Sequence, residues 1–393
     1  MGSQAESALR LFVAETNAGG GIEIKGQRHR IELQCVDDRG EQRRAASIYQ
    51  ELCATHKADL LFGPYGSGLV RLTAPIAENA GLLYVNHGGA DERIYQRGYR
   101  LLVGVLTPAS RYMTELIQLV SSLKFWRKRV AIVAADSPFA TAVAQGAERA
   151  CAQRSIRRRG TRIRVKFRGR FDQQFDGGHF YRVLRRNRIN VLLSVGSYQH
   201  DVDVMRFASA EPLSIPVLGC VAAGINQFSA DLGSKAEGII GPAQWDPSLQ
   251  VRPLLGPTPT EFVARFRALC GCEPDYPAAQ AYAAGLLTIT AVRAANSLES
   301  ARVREAFSRL RTSTLFGDFA IEPVSGEQVA HRMLVVQWHQ GRKVIIRPEP
   351  TLDLVELEFP PGWRLLLGSL RNVLMRRRAA DPATTKRRYE TDR

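Results

Sequence analysis

Asp59-Leu60-Leu61-Phe62-Gly63-Pro64-Tyr65-Gly66-Ser67-Gly68 is followed, one helix-length on, by Leu82-Leu83-Tyr84-Val85-Asn86-His87-Gly88-Gly89-Ala90. In both stretches a short apolar run stops at a glycine-rich turn. Continuous apolar runs, unlike alternating ones, predict strands covered on both faces, and the stretch from Ser67 to Ala80 between them predicts a helix. Strand, turn and helix in repetition is the pattern of a parallel, doubly wound α/β sheet.

The same rhythm extends in both directions. Upstream, Ser3 caps a predicted helix with Ala8, Leu9, Phe12 and Val13 on one face, ended by Gly19-Gly20-Gly21. Ile31 to Val36 reads as a strand, and residues 41–56 as a helix. Downstream, Val130 to Ala135, Val191 to Val195 and Ile215 to Leu218 read as strands, each leading into a helical stretch. These units are too many for one sheet, so two α/β lobes are expected. Glu261 to Leu269, Ala278 to Ala295 and Val303 to Leu310 read as helices. Met333 to Trp338 and Lys343 to Arg347 read as a β-hairpin. After Pro360-Pro361 the chain becomes polar and basic, and a loosely ordered tail is expected.

The chain has 393 residues, 45% hydrophobic and 23% charged. That is enough for two cores, and it argues against a disordered chain, a disulfide mini-scaffold or a fibrous repeat. No apolar run approaches the ~20 residues that span a bilayer. The formal charge of +16 would by itself suggest a polyanion partner. However, Lys occurs only at positions 25, 57, 124, 128, 166, 235, 343 and 386, so the excess is nearly all Arg, a bias that genome base composition also produces. The bases concentrate at Arg154 to Arg170, Arg182 to Arg188 and the tail from Arg364. None of these stretches carries a nucleic-acid-binding signature, which argues against nucleic acid as the partner. The six cysteines form no CxxC pair, and Cys270-Gly271-Cys272 lacks a second pair for zinc. No metal or cofactor is implied. The first residues have no apolar core of a secretory signal.

Ligands of open α/β sheets bind beyond the carboxyl ends of strands, where turns and helix N-termini converge. Two places fit. At Gly66-Ser67 a helix starts after a glycine turn, so backbone N–H groups and the Ser hydroxyl suit a carboxylate or a similar anion. At Gly88-Gly89-Ala90 the glycines permit close backbone approach. Both turns also have the plain reading of ordinary βα connections. Catalytic readings fail: Ser197, His200 and Asp201 lie too close along the chain to form a triad, and Ser67 lies in G-S-G instead of a nucleophile elbow. His87 has no evident carboxylate partner and reads as loop polarity.

In this order the segments resemble the type I periplasmic binding proteins, specifically the branched-chain amino acid and amide substrate-binding components of ABC importers. The similar stretches are Asn17 to Ile22, Ile31 to Asp38, Gly63-Pro64-Tyr65-Gly66-Ser67, Gln96-Arg97-Gly98-Tyr99, Pro274 to Gln280, Phe316-Gly317-Asp318-Phe319 and Gln337-Trp338. The resemblance covers residues 5–348 and implies two lobes closing on a ligand like a trap. Lobe one would be 1–109 plus 246–314, lobe two 110–245 plus 315–348, and 349–393 a basic, partly disordered tail. The resemblance also implies that Ser67, with Gly66, and the backbone of Gly88, Gly89 and Ala90 hold the ligand's carboxylate or amide end. Phe139 and Tyr198 would then contact it from lobe two. A small-molecule ligand, membrane permease subunits as partners and an extracytoplasmic location come with the family.

The chain departs from the family pattern in two places. Amino-acid binders present a Glu to the ligand's ammonium after the strand matching Ile215 to Leu218, whereas this chain has Gly219-Cys220-Val221. Val221 cannot pair a cation; Asp201 or Glu237 could stand in, but nothing in the sequence places either of them there. An amide, a urea-like compound or an aliphatic or aromatic acid is therefore expected at least as much as an α-amino acid. The second departure is the start: the family's first strand of lobe one, central to its sheet, has no counterpart, and a truncated start is the expectation. Two rival readings remain. One is a ligand-sensing domain of a receptor or signalling protein with the same fold. The other is a basic protein binding nucleic acid or an anionic surface.

Overall fold

The computed structural model describes residues 1–348, apart from 56–57, 124–126, 154–161, 172–175 and 211–214. The expected tail 349–393 and the basic run beginning at Arg154 lie, wholly or in part, outside the described residues.

The quoted stretches become parallel neighbours. Leu60–Phe62, Leu83–Asn86 and Leu102–Gly104 form a three-stranded sheet with Leu60 opposite Leu83 and Tyr84 opposite Leu102. Leu83, Tyr84 and Val85 are buried, as a strand covered on both faces requires. Helices Ser67–Asn79 and Gln42–Ala54 pack together beside this sheet. Gly2–Ala18 packs along Tyr276–Ala295, where Phe12 meets Tyr282 edge to face at 6.0 Å.

A seven-stranded sheet lies beyond. Its order is Arg342–Arg347, Leu334–His339, Ile240–Ala243, Val217–Cys220, Val191–Val195, Arg127–Ala135, Arg162–Phe171. The last five run parallel, and the first two form an antiparallel hairpin on one edge. Gln340 and Gly341 turn that hairpin with φ 49° and 72°, so the turn is shorter than the four residues expected. Alternate residues feed two cores. Val130, Ile132, Val191 and Leu193 face one, and Ala131, Val133, Leu192 and Leu218 face the other.

Three connections join the regions of the two sheets: 105–113, 244–258 and 320–333. They meet at a buried polar node. The Gln244 amide accepts from Thr107 N–H at 3.3 Å and donates to Thr107 O at 3.2 Å and to the Tyr112 hydroxyl at 2.9 Å. Thr107 Oγ1 lies 2.5 Å from His331 Nδ1, and the His331 ring stacks on Phe316 at 4.4 Å.

The N-terminal half differs from expectation in three ways. Ile31 to Val36 joins no strand ladder. Ile31 and Leu33 turn inward like a strand, but no neighbouring strand pairs with this backbone, and Leu60–Phe62 is the outer strand of its sheet. A hairpin unread in the sequence, Ile22–Ile24 with Gln27–His29, precedes it, turned by Lys25 and Gly26 at φ 51° and 75°. The first helix begins at Gly2, so Ser3 lies inside it instead of capping it.

Candidate functional site

The two glycine turns interlock. Gly66 stands at φ 114° as the cap of its helix, and its N–H donates to Gly88 O at 2.9 Å. Ser67 Oγ accepts the N–H of Ala90 at 3.1 Å and that of Asp91 at 3.2 Å. Gly88 is obligatory on steric grounds, because a Cβ there would collide with Pro64 O and lie 2.7 Å from Tyr65 Cα. A Cβ on Gly89 would lie 2.8 Å from Val70. Asn86 locks the loop from below: its Oδ1 accepts Gly89 N–H at 2.8 Å, and its amide donates to Gly89 O at 2.7 Å. Ser67, Gly66, Gly88, Gly89 and Ala90 thus form one unit at the carboxyl ends of Leu60–Phe62 and Leu83–Asn86.

His87 sits in this unit, 3% exposed, with its ring 6.2 Å from Phe62. Desolvation pushes the imidazole down to about 4, so it is neutral at neutral pH. Its Nδ1 has no hydrogen-bond partner among the described residues, and neither has the fully buried amide of Gln280.

The large sheet contributes the facing residues. Ser137 caps the helix Pro138–Ala152, its hydroxyl accepting Ala140 N–H at 3.1 Å, which sets Phe139 in the first turn. Phe139 meets Tyr112 edge to face at 5.3 Å. Tyr198 begins the helix Tyr198–Ala210, packs on the other core, and donates to Asp231 Oδ2 at 2.6 Å. Phe139 and Tyr198 therefore stand at the same end of the large sheet but on opposite faces.

Residues without a local sequence signal complete the arrangement. The Tyr65 and Tyr276 hydroxyls bond each other across 211 positions of sequence. Burial raises both phenols and that of Tyr112, so they remain neutral. Asp275 caps the helix Tyr276–Ala295 through Tyr276 N–H at 2.7 Å, and its other oxygen accepts Asn226 N–H at 3.1 Å. Asn226 follows the strand Val217–Cys220, so this bond ties the large-sheet region to the helix that packs on Gly2–Ala18.

Neither stand-in acid is free to meet a cation. Asp201 is fully buried, with Oδ1 accepting from Ser194 Oγ at 2.7 Å and Oδ2 from Ala222 N–H at 3.0 Å. Burial pushes it up to about 6. Glu237 accepts Gln340 N–H at 2.8 Å on the distant hairpin and pairs with His339.

Residues 1–343 match the family described as periplasmic binding protein. Solved structures agree on the fold. An ABC transporter substrate-binding protein from Desulfitobacterium hafniense, in complex with Leu, is 17% identical with a TM-score of 0.73, over 87% of this chain and 95% of that one. A solute binding protein of an ABC transporter from Rhodopseudomonas palustris, in complex with 3,4-dihydroxybenzoic acid, is 15% identical with a TM-score of 0.70, over 87% and 90%. An amino acid ABC transporter substrate-binding protein from Pseudomonas fluorescens is 21% identical with a TM-score of 0.70, over 86% of each chain.

Proposed function

Because this chain belongs to the periplasmic binding protein family, a family of solute binders and not of enzymes, we propose that it is the solute-binding component of an ABC importer. Its lobes are 1–109 with 246–314, and 110–245 with 315–348. The ligand's carboxylate or amide end docks on Ser67 and the backbone of Gly88 to Ala90, and Phe139 and Tyr198 close over it. Closure is then a shift between open and closed states set by the ligand's differential affinity.

The observation that carries this reading is the interlocked turn pair, whose internal hydrogen bonds fix the Ser67 hydroxyl and the start of the helix Ser67–Asn79 at two strand ends. The ligand class follows from the opposite wall. Val221 is apolar, Asp201 is turned inward, and uncharged rings come from Tyr112 and Phe139 on that side and from Tyr65 and Tyr276 on the side of Ser67. An ammonium group placed against Val221 would lose its water while neither Asp201 nor Glu237 is free to pair it, a large penalty. Aromatic or aliphatic carboxylates and amides, whose polar end is held on one side only, fit better than α-amino acids.

A thermal-shift screen with benzoate, 3,4-dihydroxybenzoate, leucine, valine, acetamide and urea tests this, since a ligand that binds only the folded state raises the melting temperature. A benzoate or amide response with none for leucine supports the reading. A leucine or valine response with none for acids or amides overturns it.

A further inference from the structure

Arg127, Arg129, Arg164, Arg185, Arg186 and Arg188 gather at one corner of the seven-stranded sheet. Arg129 and Arg164 are register partners on adjacent parallel strands. Asn190 N–H donates to Arg129 O at 3.1 Å and its amide to Arg127 O at 2.7 Å, which draws the turn carrying Arg188 onto the same strand end. The helix Gly177–Arg186 covers this face, with Phe180 6.3 Å from Phe167, and its last turn supplies Arg185 and Arg186. Arg127 and Arg129 share the face of Ala131, which belongs to the core under that helix.

This assembly of charge lacks compensation. Five of the six are exposed and Arg129 is half-buried, and none has an acidic partner among the described residues. The stretches 127–129, 162–171 and 177–190 contain no Asp or Glu. Like charges directly opposite on neighbouring strands oppose folding. The helix C-terminus accounts for Arg185 and Arg186 but not for the other four. Arg188 also holds φ 49°, a conformation that costs a residue with a side chain. The corner lies at the amino ends of the parallel strands, whereas the candidate ligand site lies at their carboxyl ends, about 20 Å along the strand.

We infer that this corner is a docking surface for a membrane of anionic phospholipid. Among the described residues, the aromatics beneath it, Phe167 and Phe180, are turned into the core and offer no stacking platform for nucleobases. Its cations spread across two strand ends and one helix end, the form that meets a sheet of headgroups.

Co-sedimentation of the full chain with vesicles of neutral phosphatidylcholine, and with vesicles containing about one-third phosphatidylglycerol, tests the inference. Two variants with separate substitutions guard against a folding artefact, and each must keep the wild-type melting temperature. The protein is expected to bind only the anionic vesicles, less so at about 0.15 M salt and above. Arg185→Gln/Arg186→Gln/Arg188→Gln should lower partitioning about a hundredfold, and Arg127→Gln/Arg164→Gln about twentyfold. Three results would each overturn it: no binding to anionic vesicles, wild-type binding by both variants with loss only in Arg376→Gln/Arg377→Gln/Arg378→Gln, or saturable binding of duplex DNA that displaces the vesicles.

Discussion

The Ser67 hydroxyl accepts the backbone N–H of Ala90 at 3.1 Å, although the two residues stand at the ends of different strands. That bond makes one binding surface from two separate turns. Ser67→Ala leaves the Ala90 and Asp91 N–H groups without this acceptor. About 1 kcal/mol of stability and severalfold in ligand affinity are the expected losses. Chemical denaturation and calorimetry with the best ligand from the screen measure both. Unchanged affinity would place the ligand elsewhere.

Gly88→Ala is expected to do more damage than Ser67→Ala. The new methyl meets backbone at Pro64 and Tyr65, which cannot swing away as a side chain would. A cost of about 1–3 kcal/mol follows from such overpacking. A melting temperature within a degree of wild type would show that the two turns are not held in this contact.

Acid should destabilise the protein, and the sign follows from the histidines. His87 and His331 are buried, and desolvation lowers each from 6.5 to about 4. The unfolded chain takes up protons near 6.5 that the folded chain refuses until about 4. Their contribution is therefore complete above the unfolded value and is lost as pH falls from 6.5 toward 4, on the order of 3 kcal/mol each. Asp201 runs the other way. Burial raises it to about 6, so its contribution is lost as pH rises from 3.8 toward 6. Two groups outweigh one, so the melting temperature should drop between pH 6.5 and 4.5. His331→Gln should flatten that drop; a melting temperature that climbs on acidification would contradict the burial of both rings.

What the sequence revealed of this fold follows from the range of the interactions. Leu82 to Val85 reads as a strand because both its faces are apolar, a property of four adjacent residues, and the structure has the strand at Leu83–Asn86. Gly66 and Gly88 stand out because a turn requires them. Ile31 to Val36 has the same local look, yet a strand exists only where another strand pairs with it, and composition does not carry that information. The site divides in the same way. Ser67 sits in a glycine turn after a strand and could be picked out, whereas Phe139 and Tyr198 come only with the family resemblance. Tyr65 with Tyr276, and Thr107 with His331, meet across 211 and 224 positions, and no local pattern marks them.

Gln244 is expected to control the hinge. Its amide fills three hydrogen bonds, two to Thr107 and one to the Tyr112 hydroxyl, and Tyr112 in turn supports Phe139. Gln244→Ala strands those buried groups, at about 1–3 kcal/mol for each unsatisfied one. Gln244→Glu keeps the shape but loses the donors to Thr107 O and Tyr112. Both should weaken ligand binding without touching the ligand. If stability falls and affinity does not, the node is structural only.

Asp275 separates capping from closure. One carboxylate oxygen caps the helix that carries Tyr276, and the other accepts Asn226 N–H from beyond the large sheet. Asp275→Ala removes both and should cost about 1 kcal/mol from the cap alone. Asn226→Pro removes only the donor, because proline has no N–H. If the bond between the two regions favours the closed form, both variants should weaken ligand binding severalfold, whereas only Asp275→Ala should lose the stability of the helix cap. Small-angle scattering with saturating ligand supplies the geometric readout: the Asn226→Pro protein should need more ligand to reach the compact form. A variant that compacts at the wild-type ligand concentration would show that the Asn226 to Asp275 bond accompanies closure without driving it.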